Sequence, residues 1–250
     1  MARIEPVPGE PAAIADLGDE RALVLADYHA GIEAALRDER GVSIESQAAD
    51  RRERVLDLLA QTGVDRLLVL GDIAHSFGGP HGAERGEIEV LVERVTERVP
   101  LTLTKGNHDG GIEAILDDRP GVTVVGAEGV RIEDVGVAHG HAWPAADVMA
   151  APTVCIAHEH PQVRLTDRVG GRRIEPVWLR GRLDPAVFEE RYPTVRADGS
   201  LVVMPAFNNL VGGTWINEAD DFLSPFLPEG LAEGEAYLLD GTRLGNYRDV

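Results

Sequence analysis

The sequence predicts an α/β fold, a single domain over residues 1–250 with a sheet-on-sheet core flanked by helices. Three observations carry that expectation. Short runs rich in Val and Leu alternate with helical segments in the first half of the chain. From about residue 122 the texture changes to short strands that follow one another with turn signals and little helix between them. No internal repeat, linker or low-complexity stretch separates the two halves. With 250 residues and 44% hydrophobic content, the chain can bury a sizeable core.

The elements follow in order. "RALVLAD" (21–27) and "DRLLVLGD" (65–72) have the pattern of strands buried on both faces, and each ends on an aspartate. Between them, Val55, Leu58 and Leu59 give helical spacing and Gly63 supplies a stop, which makes a strand, helix, strand unit with a parallel pair. A second helix is expected over "ERGEIEVLVERVTERV" (84–99), with Ile88, Leu91, Val92 and Val95 on one face, before the strand "LTLT" (101–104). "VTVV", "VGVAH", "TVCIAH", "PVWLRG", "LVVMPAF" and "EAYLLDG" read as the later strands.

Composition narrows the setting. No apolar run approaches membrane-spanning length, and the first twenty residues carry acids and prolines where a signal peptide has a basic start and an apolar stretch. The expected location is the cytoplasm. The only cysteine, Cys155, lies inside an apolar run, so it reads as a core residue; it leaves no internal disulfide and argues against a thiolate zinc site or a thiol nucleophile. Acids outnumber bases 43 to 24, the net charge is -19, and Lys105 is the only lysine among 23 arginines. Such a surface suits a salt-loaded, halophilic cytoplasm, where the Debye length falls to about 3 Å at 1 M salt and self-repulsion is screened. There, acidity no longer argues strongly against a nucleic-acid substrate.

Polar residues collect at strand ends. The first strand delivers Asp27 and His29, the second Asp72, and "LTLT" leads into Asn107, His108 and Asp109. Later strands deliver His139, with His141 two residues on, and then His158 and His160. Loops leaving the carboxyl ends of strands in an open α/β sheet share one edge, so these groups should converge. Asp27 and His29, like His158 and His160, are two apart and can face one way in extended chain. Six of the seven main candidates would be buried polar groups beside apolar runs, which is costly unless something satisfies them. Carboxylate, imidazole and amide without thiolate suit a borderline divalent ion.

The ordered blocks "DYH", "GD", "GNHD", "AHGH" and "AHEH", spread over residues 27 to 160, closely resemble the five signature blocks of the calcineurin-like metallophosphoesterase superfamily. That resemblance implies two packed mixed β-sheets flanked by α-helices, a four-layer sandwich. "HAGIE", "KGNHDG", "HGHAWP", "HEHP", "PAFNNLVGG" and "LLDG" further resemble the PdeM-type, ICC-like subgroup of phosphoesterases associated with DNA ligase or helicase. One departure is visible, because Ala157 stands where the last block usually has glycine.

Carried over residue by residue, the resemblance implies that Asp27, His29 and His160 hold one metal. Asn107, His139 and His158 hold the other, and Asp72 bridges them. The ions are two divalent cations, manganese first, with iron or zinc as alternatives. A hydroxide shared by the metals would attack phosphorus in line. His108 would face the substrate, with Asp109 as its orienting partner or, alternatively, as a helix cap. His141 is the alternative to His139 as a ligand. His75 could touch substrate or sit in a surface loop, His81 reads as solvated, and Asn208 and Asn209 either border the cleft or form a turn.

Between Pro161 and Arg196 stand eight arginines against five acids, which could present guanidiniums to phosphates or form a salt-bridged hairpin. The function implied is a phosphodiesterase, with DNA as a candidate substrate in endonuclease or exonuclease action and a DNA-repair ligase or helicase as a candidate partner. A small-molecule or nucleotide phosphohydrolase is the alternative, and a non-catalytic scaffold the second.

Overall fold

Runs of Val and Leu are stable as strands only where both faces are covered, and the two central strands of the first sheet are built from them. A computed structural model describes residues 3–167 and 169–250. The first sheet contains β1 (Ile4–Pro6), β2 (Ala13–Asp16), β3 (Arg21–Leu25), β4 (Arg66–Leu70), β5 (Leu101–Thr104) and β6 (Val122–Val125), side by side in chain order. The first three pair antiparallel, and β3 to β6 pair parallel. The parallel connections carry α1 (Ile32–Arg40), α2 (Ala48–Thr62), α3 (Gly82–Thr96) and the short α4 (Glu113–Leu116).

The second sheet draws on β7 (Val130–Ile132), β8 (Val135–Val137), β9 (Thr153–Ile156), β10 (Gln162–Thr166), β11 (Arg172–Leu183), β12 (Ser200–Val203), β13 (Leu231–Leu238) and β14 (Arg243–Asn246). Its order is β14-β13-β11-β12-β9-β8-β7, with β10 paired to the first half of β11. β8, β9 and β12 are mutually parallel and the other pairs antiparallel, so both sheets are mixed. Two short helices, α5 (Ala146–Met149) and α6 (Pro185–Phe188), accompany this half.

The period-two alternation of a strand divides each run between two cores. Leu23, Leu25, Leu67 and Val69 pack with the helices, whereas Ala22, Val24, Leu68 and Leu70 face the other sheet. In β9, Val154 and Ile156 pack on the outer side and Cys155 lies between the sheets. Three apolar layers thus separate helices, first sheet, second sheet and the outer α5 and α6 side, as the four-layer expectation requires. Burial pushes the Cys155 thiol up to about 12, which keeps it an inert core group. Among the described residues, no helix is long and apolar enough to cross a membrane.

Some elements were not anticipated. β1 and β2 are three and four residues long, are joined through a Pro- and Gly-containing turn, and draw their stability from pairing with each other and of β2 with β3, which no local signal shows. α1 starts after Gly31 in the left-handed region and ends on Gly41 in the same region, without a side-chain N-cap to announce it.

Beneath α1 lies a buried ion cluster. Arg51 of α2 donates to Glu33 of α1 at 3.0 Å and to Glu87 of α3 at 2.6 Å, and all three side chains are almost wholly buried. Glu87 also accepts from the Gly31 amide at 2.9 Å, which ties the cluster to the loop after β3. Burial alone would raise the Glu33 carboxyl, but its bonds to Arg51 and to the backbone more than offset this and hold it below its ordinary value. Its contribution to stability is therefore present above the ordinary glutamate pKa near about 4.3 and is lost as pH falls through the lower folded value. Replacing Arg51 by Ala should cost about 3–5 kcal/mol in a denaturant titration, because two carboxylates are left buried without a counter-ion. Adding Glu33→Gln and Glu87→Gln should recover part of that loss.

Candidate metal centre

Five of the candidate side chains leave their strands through backbone that L-residues seldom adopt. Asp27, His29, Asp72, His158 and His160 have φ of 55°, 47°, 49°, 70° and 44°. Among the described residues, the other non-glycine residue in this region is Glu133. Each such conformation costs roughly 1–3 kcal/mol and persists only where the surroundings over-determine it. Here the loops are paired beyond the strands. Asp27 N–H donates to the Gly71 carbonyl at 3.1 Å, His29 N–H to that of Asp72 at 2.9 Å, and Ala157 N–H to that of His139 at 2.8 Å.

Among the described residues, the result is three groups of donors where strands of the two sheets end. Asp27, His29 and His160 form the first and Asp72, His139 and His158 the second, while His29, His75 and His108 form a third that shares His29 with the first; in each, the donor atoms lie within 4.8 Å of one another. His160 Nε2 lies 3.2 Å from Asp27 Oδ1. Asp72 Oδ2 lies between the first two groups, 3.8 Å from His29 Nε2 and 3.3 Å from His139 Nε2. Asn107 Oδ1 joins the second group, 3.2 Å from His139 Nε2.

Asp27, His29, Asp72 and His139 are buried, while Asn107, His158 and His160 are half-buried. The expectation of six buried candidates was too high, because Asn107, His158 and His160 each keep part of their surface open to solvent.

These donors fit a divalent cation. Both carboxylate oxygens of Asp27, His29 Nε2 and His160 Nε2 are buried without a hydrogen-bond partner, an arrangement that is costly unless a cation takes up the lone pairs. The far ring nitrogens are held by carbonyls, His139 Nδ1 by Leu70 at 2.8 Å and His160 Nδ1 by Gly212 at 2.7 Å. A proton on Nδ1 donated to a carbonyl leaves Nε2 free to act as a ligand. Burial lowers the His29 imidazole to about 3 and, with the His139 charge, the His158 imidazole to about 4, so both are neutral at pH 7. For His139, burial is outweighed by the Asp72 and Asp27 carboxylates, which raise it to about 9.

Glycines let the blocks approach. A Cβ at Gly106 would stand 2.0 Å from Asp72 Oδ1, and one at Gly71 would stand 2.4 Å from His139 Nδ1.

Asp109 does not orient His108. Its carboxylate is buried and accepts three backbone amides, those of Asp72 and Gly106 at 2.8 Å each and that of Ala74 at 3.1 Å. It therefore locks the "GD" loop to the "GNHD" loop, and burial together with the Asp72 charge raises its pKa to about 6. Its side chain does not cap α4 either.

The His108 ring instead meets the His75 carbonyl through Nδ1, and its Nε2 lies 3.9 Å from Asp72 Oδ2. His75 is nearer the centre than a surface loop residue, with Nδ1 3.2 Å from His29 Nδ1. His81 is exposed, as expected.

Asn208 is buried and structural, donating to the Tyr28 carbonyl at 2.9 Å and the His29 carbonyl at 3.3 Å, whereas Asn209 is exposed beside it. His141 packs against His139 and His158 but belongs to none of these donor groups.

The arginine-rich segment is largely a salt-bridged, stacked hairpin and its neighbours. Arg164 lies 3.6 Å over the Trp215 ring and pairs with Glu218, Arg173 pairs with Glu175, Arg180 donates to the Ile4 carbonyl and Arg191 covers Trp143. Arg168 lies outside the described residues.

Glu159 was not anticipated. It lies between His158 and His160, is fully buried, and accepts from Thr214 Oγ1 at 2.9 Å, Leu223 N at 3.0 Å and Ser224 N at 2.6 Å. The "HEHP" block shows only a charged residue flanked by histidines, and the segments that clamp it are more than fifty residues away.

The fold and the centre define a metal-dependent hydrolase of phosphoric esters. The chain belongs to the calcineurin-like phosphoesterase family, whose model matches residues 20–188 and so spans every candidate donor. It is similar in fold to the nuclease MPE of Pseudomonas putida, with a TM-score of 0.54 and 22% identity over 96% of this chain and 100% of that one. YfcE, a phosphoesterase from E. coli, gives a TM-score of 0.41 and 15% identity over 90% of this chain and 96% of that one. Among curated proteins the chain has no match.

Glu159→Ala should destabilise the fold by at least about 2 kcal/mol, because it strands buried donors that a charged acceptor now satisfies. It should also weaken metal affinity by loosening the backbone of both neighbouring histidines. Thermal unfolding with and without added metal measures the two effects separately.

Proposed function

We propose that this protein is a two-metal phosphodiesterase, and that Asp27, His29 and His160 hold one divalent ion while Asn107, His139 and His158 hold the other. Asp72 bridges them. The observation that carries this reading is the position of Asp72 Oδ2 between the two donor groups, beside Asp27 oxygens and His29 and His160 Nε2 atoms that are buried without a hydrogen-bond partner. Ions held there would supply Lewis acidity to activate water and to offset charge on the phosphoryl oxygens.

The remaining chemistry belongs to the chain. The His75 carbonyl fixes the His108 ring so that Nε2 faces the centre, where it can donate a proton to the leaving oxygen. Asp109 and Glu159 hold the loops that aim the donors. Oxygen and nitrogen donors without thiolate favour manganese, with iron or zinc as alternatives.

A diester substrate, with nucleic acid as its class, is supported by the fold shared with a protein named as a nuclease. Net charge of -19 opposes long-range attraction of a polyanion, so recognition relies on the metals and on short-range contacts in a salt-rich, halophilic cytoplasm. Resemblance to the PdeM-type subgroup suggests a DNA-repair ligase or helicase as the functional partner. The same resemblance treats the chain as one catalytic domain.

The alternative, a nucleotide or small-molecule phosphohydrolase, draws on the arginines of the 161–196 segment being engaged within the protein. Metal analysis, variants and a substrate panel test these readings. Wild-type protein should carry close to two ions per chain, and Asp72→Ala should lose both, whereas His160→Ala should chiefly lose one. His108→Ala should keep its metals yet lose about 10²–10⁴-fold in turnover. Metal loss in this variant would make His108 a ligand instead. With Mn²⁺ at high salt, a model phosphodiester should be cleaved faster than the matching monoester. Activity confined to monoesters would exclude the diesterase reading and leave the metal centre intact.

A further inference from the structure

Phe77 is 73% exposed, the one aromatic side chain among the exposed large hydrophobics of the described residues. It is not adrift. Its ring stacks on His108 with centroids 4.0 Å apart and planes inclined by 30°, and His108 in turn stacks on His75 at 5.6 Å and 14°.

The loop that carries it is built from two sides. Glu84, itself buried, accepts from the His75 and Ser76 amides at 2.6 Å and 2.7 Å, and Asp109 accepts from the Ala74 amide. Farther on, Gly78 and Gly79 take positive φ and pack against Gly110 and Gly111, an approach so close that a Cβ at Gly79 would stand 3.3 Å from the Gly110 carbonyl oxygen. An apolar ring held at the rim of a polar centre costs exposure to water and gives the protein's own core nothing.

The ring borders a concavity of about 730 Å³ that runs from His108, His75 and Phe77 toward α1. Its wall on the α1 side carries the acids Asp38 and Glu39 beside Arg40. Such a wall repels phosphate and suits an uncharged, planar group. The volume is that of a small-molecule site.

We propose that Phe77 and this concavity form a nucleobase subsite, in which the base of the nucleoside on the leaving-group side stacks on Phe77 while its phosphate occupies the metal centre. The inference rests on the diesterase reading, because His108 is taken to face the leaving oxygen. It specifies the substrate as single-stranded or locally opened nucleic acid, or a dinucleotide, since a paired base cannot stack on the ring. Stacking of a base on an aromatic side chain is sequence-tolerant, so the subsite selects for a base without selecting which.

The test uses 2-aminopurine deoxyribonucleoside 5′-monophosphate, whose fluorescence reports stacking, titrated against metal-loaded wild type and the variants Phe77→Ala, Phe77→Leu and Phe77→Trp. Phe77→Ala should weaken binding by about tenfold and abolish the fluorescence change. Phe77→Leu keeps apolar surface without a π face and should resemble Phe77→Ala, whereas Phe77→Trp should bind at least as well as wild type. On a single-stranded oligonucleotide the Ala variant should raise KM more than it lowers kcat. Equal binding by wild type and Phe77→Ala, or full retention by Phe77→Leu, overturns the subsite. Because the titration needs no turnover, a subsite that binds the nucleotide in an enzyme that cleaves no diester would separate failure of the diesterase reading from failure of this one. Phe77 is solvent-facing, so the variants should fold, and circular dichroism checks that they do.

Discussion

The centre depends on five side chains held in the left-handed backbone region where strands end. That conformation turns a side chain sharply out of the sheet, and it allows Asp27 and His29, two residues apart, to address one point, as it does for His158 and His160. Left alone, such backbone would relax. It holds because the strands behind it are fully buried and the loops continue pairing with one another past the last strand residue. The apolar cores on either side of each sheet therefore serve the chemistry by fixing the positions of residues they never touch.

Polar clamps complete this constraint. Asp109 joins the second and third blocks through three backbone amides, and Glu159 joins the last block to residues 214–224. Asn208 ties the "DYH" loop to the chain after β12. Each clamp is a buried acceptor or donor fully used on main chain or hydroxyl, which turns a costly burial into a positional restraint. Lys105, the only lysine, pairs with Glu113 at the edge of the same assembly.

Much of this was legible in the sequence for a physical reason. Acids, amides and imidazoles directly after Val- and Leu-rich runs cannot be core, and five blocks of them in order leave few chemistries open. The two sheets were legible because period-two burial on both faces leaves an uncharged run. What was not legible was partnership across distance. Asp109 adjoins His108 in the chain, yet its carboxylate belongs to Asp72, Ala74 and Gly106, and adjacency suggested the wrong partner. Glu159 lacked any local sign that its partners lie beyond residue 213. The strands β1 and β2 were hidden because their stability comes from pairing with each other and of β2 with β3, and the arginines after Pro161 were hidden because stacking on Trp215 or Trp143 is invisible without the fold.

The division of donors between the sheets has a mechanical side. Asp27 and His29 follow a strand of the first sheet and His160 follows one of the second; likewise Asp72 comes from the first sheet and His139 and His158 from the second. A cation seated in either group would thus act as a detachable rivet between the two sheets, beside the hydrogen bonds of His139 to Leu70 and of Asn208 to Tyr28 and His29 that already cross there. Metal supply would then govern rigidity as well as chemistry: an ion that binds only the closed arrangement adds its own free energy to the sheet-to-sheet contact, and stripping it leaves that contact to apolar burial and these hydrogen bonds.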